Sequence, residues 1–165
     1  MEEQELAEQF ANVAHLVLRV GWLDQRRFAQ DLASFGLTPP QFFVLRSIVS
    51  CTRNPTMSAL ANETLQHCAT MTGIVDRLVK MGLVTRRRAE HDRRQVLVEL
   101  TPTGRKVLDQ VRHSREARLR ETLSRMSSQD ARELLRLLQL YLEAFRAQYE
   151  LDASDEIPAL DDSAE

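Results

Sequence analysis

Apolar residues recur at intervals of three and four along most of the chain, which is the pattern of amphipathic helices. Cap and breaker residues bound these stretches. Thr38 followed by Pro39 is a typical helix start, Gly36 and Gly82 are typical helix ends, and Ser58 is the expected cap of a short third helix. The pattern predicts six helices, at about residues 5–35, 39–51, 58–65, 68–81, 102–126 and from 128 onward.

The hydrophobic period changes to two between the fourth and fifth predicted helices. Val96, Val98 and Leu100 occupy alternate positions, which is the period of a half-buried strand. We expect residues 83–88 and 96–100 to pair as a hairpin with a charged tip. The predicted fold class is therefore mainly α, with one β-hairpin.

The fourth predicted helix differs from the others in its small, uncharged side chains. Ala69, Thr70, Thr72 and Gly73 lie near its start, and a short gap separates it from the third helix. Two short helices joined by a tight turn are typical of a helix-turn-helix, whose second helix enters the major groove. Small side chains let a helix backbone approach base edges, and threonines can touch a thymine methyl or donate to a base.

Positive charge is concentrated in and before the hairpin, although the net charge of the chain is -2. Between residues 76 and 94 the acids are only Asp76, Glu90 and Asp92, and the compensating acids lie near the two ends of the chain. Localised positive charge is typical of a surface that binds double-stranded DNA. The basic residues of this segment are Arg77, Lys80, Arg86, Arg87, Arg88, Arg93 and Arg94.

The first and last helices are more apolar than one small domain requires. The last helix alone has eight large apolar residues within a dozen positions, from Leu134 to Phe145. Such a surface favours a helical homodimer interface. We therefore expect residues 1–36 and 102–150 to form a dimerisation domain, residues 37–101 to form the DNA-binding domain, and residues 151–165 to be an acidic, disordered tail.

Several classes of protein are excluded by what the sequence lacks. It has no apolar run of 18 residues and an acidic N-terminus, so we expect a cytoplasmic protein without a membrane partner. Two cysteines are too few for a disulfide framework or a structural zinc site. Motifs for phosphate binding, metalloprotease and nucleophilic catalysis are also absent, so we predict no enzymatic activity and no cofactor.

The order of helices and hairpin resembles the MarR family of winged-helix transcription regulators over about residues 5–150. The motifs that carry the resemblance have the family's spacing without gaps. They are Gly82-Leu83-Val84, Arg86, Asp92-Arg93-Arg94, Leu100-Thr101 and Gly104, together with Val75-Asp76-Arg77-Leu78 at the end of the fourth helix.

The resemblance implies a winged helix-turn-helix protein that binds a pseudo-palindromic operator as an obligate homodimer. The helix from Cys68 to Met81 would be the recognition helix, and Arg94 at the tip of the hairpin would enter the minor groove. Asp92 is one candidate partner for Arg94 and Arg86 is another. The predicted DNA-binding residues are Ala69, Thr70, Thr72, Gly73, Arg77, Lys80, Arg86, Arg87, Asp92 and Arg94.

The family also implies a repressor that a small molecule releases from its operator. In relatives, small aromatic or phenolic anions bind between the first, second and fifth helices. The residues expected to bind such an effector here are His15, Arg19, Trp22 and Arg26, with Arg27 beside them. The alternative is that Trp22 packs in the dimer core and the arginines are solvated.

Other interpretations remain open at this stage. Cys68 at the start of the recognition helix is a candidate redox switch, and the alternative is a small buried residue. His113 and Glu116 have the spacing of metal ligands, but a solvated surface is the favoured interpretation and we predict no metal. A winged helix that docks a protein partner, with the hairpin merely solvated, is the competing functional class.

Overall fold

The computed structural model describes residues 2–51, 54–89 and 95–149 of the chain. These residues form six helices and one β-hairpin, which confirms the predicted fold class. The chain divides into two compact units, residues 1–111 and 112–165. The elements are α1 (Glu2–Ser34), α2 (Pro39–Ser50), α3 (Met57–Glu63), α4 (Cys68–Lys80), β1 (Val84–Arg88), β2 (Val96–Leu100), α5 (Pro102–Leu123) and α6 (Ser128–Tyr149).

The ends of the first four helices follow from local chemistry. Gln41 reaches back to the start of α2, where its Oε1 accepts a hydrogen bond of 2.8 Å from the backbone N–H of Thr38. At the start of α3 the cap is Thr56 and not Ser58, because Oγ1 of Thr56 accepts the N–H of Ala59 at 3.2 Å. Gly82 ends the turn after α4 with a φ of +71°, a conformation that glycine adopts without strain.

The hydrophobic core of the first unit lies where α2, α3, α4 and the hairpin meet the C-terminal part of α1. Leu32, Leu45, Leu60, Met71 and Leu78 are fully buried there. Each lies on the apolar side of its own helix, so the amphipathic pattern of each helix determines which side is buried. The hairpin contributes Val84 and Val98, which are also fully buried.

The hairpin strands pair antiparallel, from Val84 opposite Leu100 to Arg88 opposite Val96. A third short segment extends this sheet, because Thr56 forms a β-bridge with Leu97. Beside it the backbone N–H of Val98 donates to the carbonyl of Pro55 at 3.0 Å. The residues just before α3 therefore lie along β2.

Residues 112–149 of the second unit are the remainder of α5 and all of α6. The hydroxyl of Ser127 accepts the backbone N–H of Asp130 at 3.1 Å and caps the start of α6. No residue of α6 is buried within the described chain. Its exposed large apolar residues are Leu135, Leu137, Leu138, Leu140, Tyr141, Leu142, Phe145 and Tyr149. Among the described residues no helix is long and apolar enough to cross a membrane.

Candidate DNA-binding interface

The helix α4 presents two chemically different sides. Met71, Val75 and Leu78 are buried in the core. The predicted DNA-binding residues of this helix are all exposed: Ala69, Thr70, Thr72, Gly73, Arg77 and Lys80. The helical period therefore places small residues in the first half of the exposed surface and basic side chains in the second half.

Gly73 has no packing role in the fold. A Cβ built at this position meets no atom within 4 Å, apart from its own helix backbone and chain neighbours. The glycine therefore leaves the exposed surface of α4 flat in its middle. Where an arginine or lysine at this position would supply a base contact, this chain supplies room for close approach of the backbone.

Thr72 has less freedom to donate to a base than its neighbour Thr70. Its hydroxyl already donates to the carbonyl of Cys68, one helical turn back, at 3.1 Å. In this rotamer the methyl group of Thr72 and the two acceptor lone pairs of its hydroxyl are the parts that can meet DNA. An apolar contact with thymine is the interaction that this geometry favours.

Arg86 and Arg87 are neighbours on β1 but lie on opposite faces of the hairpin, because successive strand residues alternate. Arg86 faces α4: its Nη1 donates to Oδ1 of Asp76 at 2.5 Å, and its Nη2 lies 3.4 Å from the carbonyl of Thr72. Arg86 therefore joins the hairpin to the middle of α4. The sequence suggested a contact of Arg86 at the tip of the hairpin. It did not identify Asp76 on α4 as a partner of Arg86.

Arg87 extends on the other face. Its Nε donates to Oε1 of Glu99 at 2.8 Å, and the same oxygen accepts Nδ2 of Asn54 at 2.8 Å. Half of the Arg87 side chain is exposed. Asp76, Glu99 and Asn54 were not predicted as site residues. Asp76 stood out only as part of the motif at the end of the fourth helix, Glu99 lies in a predicted strand and Asn54 in a turn.

Asp92 and Arg94 lie outside the described residues, as does the rest of the hairpin tip from residue 90 to residue 94. The proposed pairing of Arg94 with Asp92 or Arg86, and its entry into the minor groove, therefore stay predictions. The predicted acidic tail, residues 151–165, also lies outside the described residues.

The two cysteines have different surroundings. Cys68, the first residue of α4, is exposed, so its interpretation as a small buried residue is wrong. Cys51 is half-buried, and its Sγ lies 3.6 Å from Oε2 of Glu63. Partial burial, followed by the negative charge and hydrogen bonding of Glu63, raises the pKa of the Cys51 thiol.

The predicted effector-binding residues lie along α1. His15, Arg19, Trp22 and Arg26 are spaced at three or four residues and are all exposed, with the Arg26 guanidinium 5.4 Å from the centre of the Trp22 ring. A cavity of about 550 Å³ is found elsewhere, between Thr56–Ser58 and Gln95–Val96. Among the described residues no cluster of three or more histidine, cysteine or acidic side chains is placed to hold a metal ion.

Comparison with known proteins agrees with this geometry. Residues 37–96 match the model of the MarR family. An uncharacterised HTH-type transcriptional regulator of Bacillus subtilis, YsmB, is 25% identical over 123 residues, which are 74% of this chain and 84% of that protein. The family and these relatives are transcription regulators and not enzymes, as predicted.

Solved structures show the same fold. A MarR family protein from Bacillus stearothermophilus is 26% identical and superposes with a TM-score of 0.71, covering 84% of this chain and 96% of that one. A mutant of MepR from S. aureus, solved bound to an oligodeoxyribonucleotide, is 16% identical with a TM-score of 0.69, covering 81% and 97%. The exposed α4 surface, the hairpin beside it and these matches together show a winged-helix fold similar to that of MarR-family transcription regulators, and residues 37–96 are the segment that matches the family.

Proposed function

We propose that this chain is a homodimeric repressor that binds a pseudo-palindromic operator and that a small aromatic or phenolic ligand releases it. The observation that carries the proposal is the exposed surface of α4, which has small side chains at its start and basic side chains at its end. Arg86 joins this helix to the wing, by which we mean β1, β2 and their connection. A helix of 13 residues is about 20 Å long, which suits the width and curvature of the major groove.

The dimer is supported by apolar side chains that one copy leaves exposed. On α1 they include Leu6, Phe10, Val13 and Leu16, and α6 carries the exposed series that ends at Tyr149. Monomeric soluble proteins rarely expose so many large apolar residues on two helices. A second copy that covers them would place two recognition helices on half-sites about one helical turn, or about 10 base pairs, apart.

Release by an aromatic ligand is supported by Trp22 and the cations beside it on α1. The indole offers a stacking surface, and Arg19 and Arg26 offer positive charge for an anionic group. A ligand that prefers a different separation of the two recognition helices would weaken operator binding by its differential affinity for the two states.

The DNA-binding part of the proposal is tested by titrating the wild type and Arg77→Ala against the DNA upstream of the chain's own gene, at several salt concentrations. A plot of the logarithm of the binding constant against the logarithm of the salt concentration gives a slope that counts neutralised phosphates. If Arg77 neutralises one phosphate, its removal makes this slope shallower by about 0.9. Arg125→Ala removes the same charge from the α5–α6 turn, where Arg125 is paired with Glu121, and should leave the slope unchanged. A wild type that binds this fragment no more tightly than random duplex would contradict operator binding and favour the protein-docking class.

The effector part needs a separate measurement. A panel of aromatic acids should release the wild type from its operator, and Trp22→Ala should require a higher concentration of the same compound. Equal release of the two proteins would mean that Trp22 does not bind the effector. Release by no compound in the panel would contradict the proposed ligand class.

A further inference from the structure

One carboxylate joins the wing to the segment that precedes the helix-turn-helix. Oε1 of Glu99 on β2 accepts a hydrogen bond from Nε of Arg87 on β1 and another from Nδ2 of Asn54, both at 2.8 Å. Asn54 is 45 residues from Glu99 in the sequence. Glu99 and Arg87 lie on the face of the hairpin opposite the one that Arg86 uses to reach α4.

Backbone contacts run alongside this carboxylate. The N–H of Val98 donates to the carbonyl of Pro55 at 3.0 Å, and Thr56 bridges Leu97. Thr56 is also the residue that caps α3. The direction of the wing and the start of the helix-turn-helix are therefore set by one connected group of bonds.

Such a connection is needed because the wing is small. Two strands of five residues are marginal as an isolated hairpin in water. The buried side chains of Val84 and Val98 hold the wing against the core from one face. Arg86 adds a bond to α4 on that face, and Glu99 bonds the opposite face to Asn54.

We infer that Glu99, together with Asn54, is a positioning residue for operator binding: it holds Arg87 and the wing in the orientation in which wing and α4 engage one duplex. The inference rests on the operator binding proposed above. It deepens that proposal by assigning a favourable role to an acidic residue on a DNA-binding surface.

Simple electrostatics predicts the opposite effect. A carboxylate near DNA repels phosphates, so neutralising it would strengthen binding to every duplex. Two substitutions leave this repulsion in place and remove only the positioning. Glu99→Asp keeps the charge on a side chain one methylene shorter, which cannot span both partners, and Asn54→Ala removes the partner in the segment before α3.

The experiment uses a duplex that the full-length wild type has selected from a random-sequence pool, and a random duplex of equal length. Glu99→Asp and Asn54→Ala should each bind the selected duplex about fivefold more weakly, the effect expected of one partly exposed charged hydrogen bond. Binding to random duplex, and the slope of the logarithm of the binding constant against the logarithm of salt concentration, should not change, because both variants keep every basic side chain of the DNA-binding surface. Glu99→Gln keeps an acceptor oxygen and should fall between the wild type and Glu99→Asp.

Glu121→Asp is the matched control, since Glu121 is an exposed, arginine-paired acid on α5. It should bind both duplexes as the wild type does. Melting temperatures of all variants separate positioning from stability: a lower melting temperature with an unchanged ratio of selected to random binding would mean that Glu99 only stabilises the fold, and would overturn the inference.

The remaining outcomes are distinguishable. A wild type that selects no sequence contradicts the proposed operator binding, and the positioning role with it. A wild type that selects a sequence, with Glu99→Asp and Asn54→Ala binding equally or more tightly, leaves operator binding intact and contradicts the positioning role alone.

Discussion

Gly104 lies in the first turn of α5, against the loop that follows α4. A Cβ at this position would lie 2.1 Å from the carbonyl oxygen of Leu83 and 2.8 Å from Cδ1 of Leu100. Thr101 holds the same junction, because its hydroxyl donates to the carbonyl of Gly82 at 2.7 Å and accepts the N–H of Gly104 at 3.0 Å. The glycine is therefore required by close approach of two backbone segments.

Gly104→Ala should lower the free energy of unfolding by about 2 kcal/mol or more, because backbone must move to admit the methyl group. Gly73→Ala is the matched control: it meets no neighbour and removes a helix-interior glycine, so it should raise stability by about 0.5–1 kcal/mol. Denaturant unfolding of the two variants measures both effects. Equal effects of the two substitutions would contradict the close-packing argument.

The two cysteines should react at different rates. An ordinary cysteine thiol has a pKa of about 8.5. Because the pKa of Cys51 is raised, a smaller fraction of Cys51 is thiolate at the same pH, and the thiolate is the nucleophile. Cys68 is exposed, so iodoacetamide should modify Cys68 first, as mass spectrometry of peptides would show.

If α4 is the recognition helix, as proposed, modification of Cys68 should weaken operator binding, because it adds bulk at the first residue of this helix. Cys68→Ser should keep its binding after the same treatment. Modified wild type that binds as tightly as untreated protein would contradict the expected effect of added bulk at this position. Loss of binding on treatment with peroxide, absent in Cys68→Ser, would support the redox-responsive alternative.

At the scale of elements, the turn between α3 and α4 contains an unusual residue. Leu65 has a φ of +52° and 93% of its side chain is exposed. Its conformation follows from the bonds that end α3, since the N–H of Leu65 donates to Asn62 and that of Gln66 donates to Ala61. This is the position where a helix usually ends on glycine, because other residues are strained there.

Leu65→Gly should raise the melting temperature by a few degrees, since it removes strain of about 1 kcal/mol and loses no buried surface. The entropy of glycine in the unfolded chain offsets part of this gain. Leu65→Ala keeps the Cβ and hence the strain, and should melt close to the wild type. A melting temperature raised equally by both substitutions would show that the exposed leucine side chain, and not the backbone, is unfavourable.

At the scale of the whole molecule, α6 leaves eight large apolar side chains exposed among the described residues. Leu138 is 54% exposed on this helix in one copy of the chain. If a second copy covers it, Leu138→Glu places a charge in the interface and should raise the dimer dissociation constant about thirtyfold or more, as for a hot-spot residue.

Analytical ultracentrifugation measures this constant, and operator binding should fall with it because two half-sites must be bound together. Gln139→Glu is the control, since it adds the same charge at the adjacent, already polar position. A Leu138→Glu protein that stays dimeric would exclude this part of α6 from the interface.

The sequence by itself determined the elements, because helix periodicity, caps and strand alternation depend on residues within a few positions of one another. It predicted the six helices, the hairpin and the small exposed residues of α4, including Ala69, Thr70 and Gly73. It also predicted the resemblance to the MarR family, whose motifs lie in the segment from Val75 to Gly104.

Only the tertiary structure decided which partners the charged residues have. Arg86 and Arg87 are adjacent in the sequence, yet one binds Asp76 on α4 and the other Glu99, which also binds Asn54. The reason for Gly104 likewise arises from segments that meet in space, the start of α5 and the loop after α4. These contacts depend on strand register and on the approach of distant backbone, which no local pattern of residues encodes.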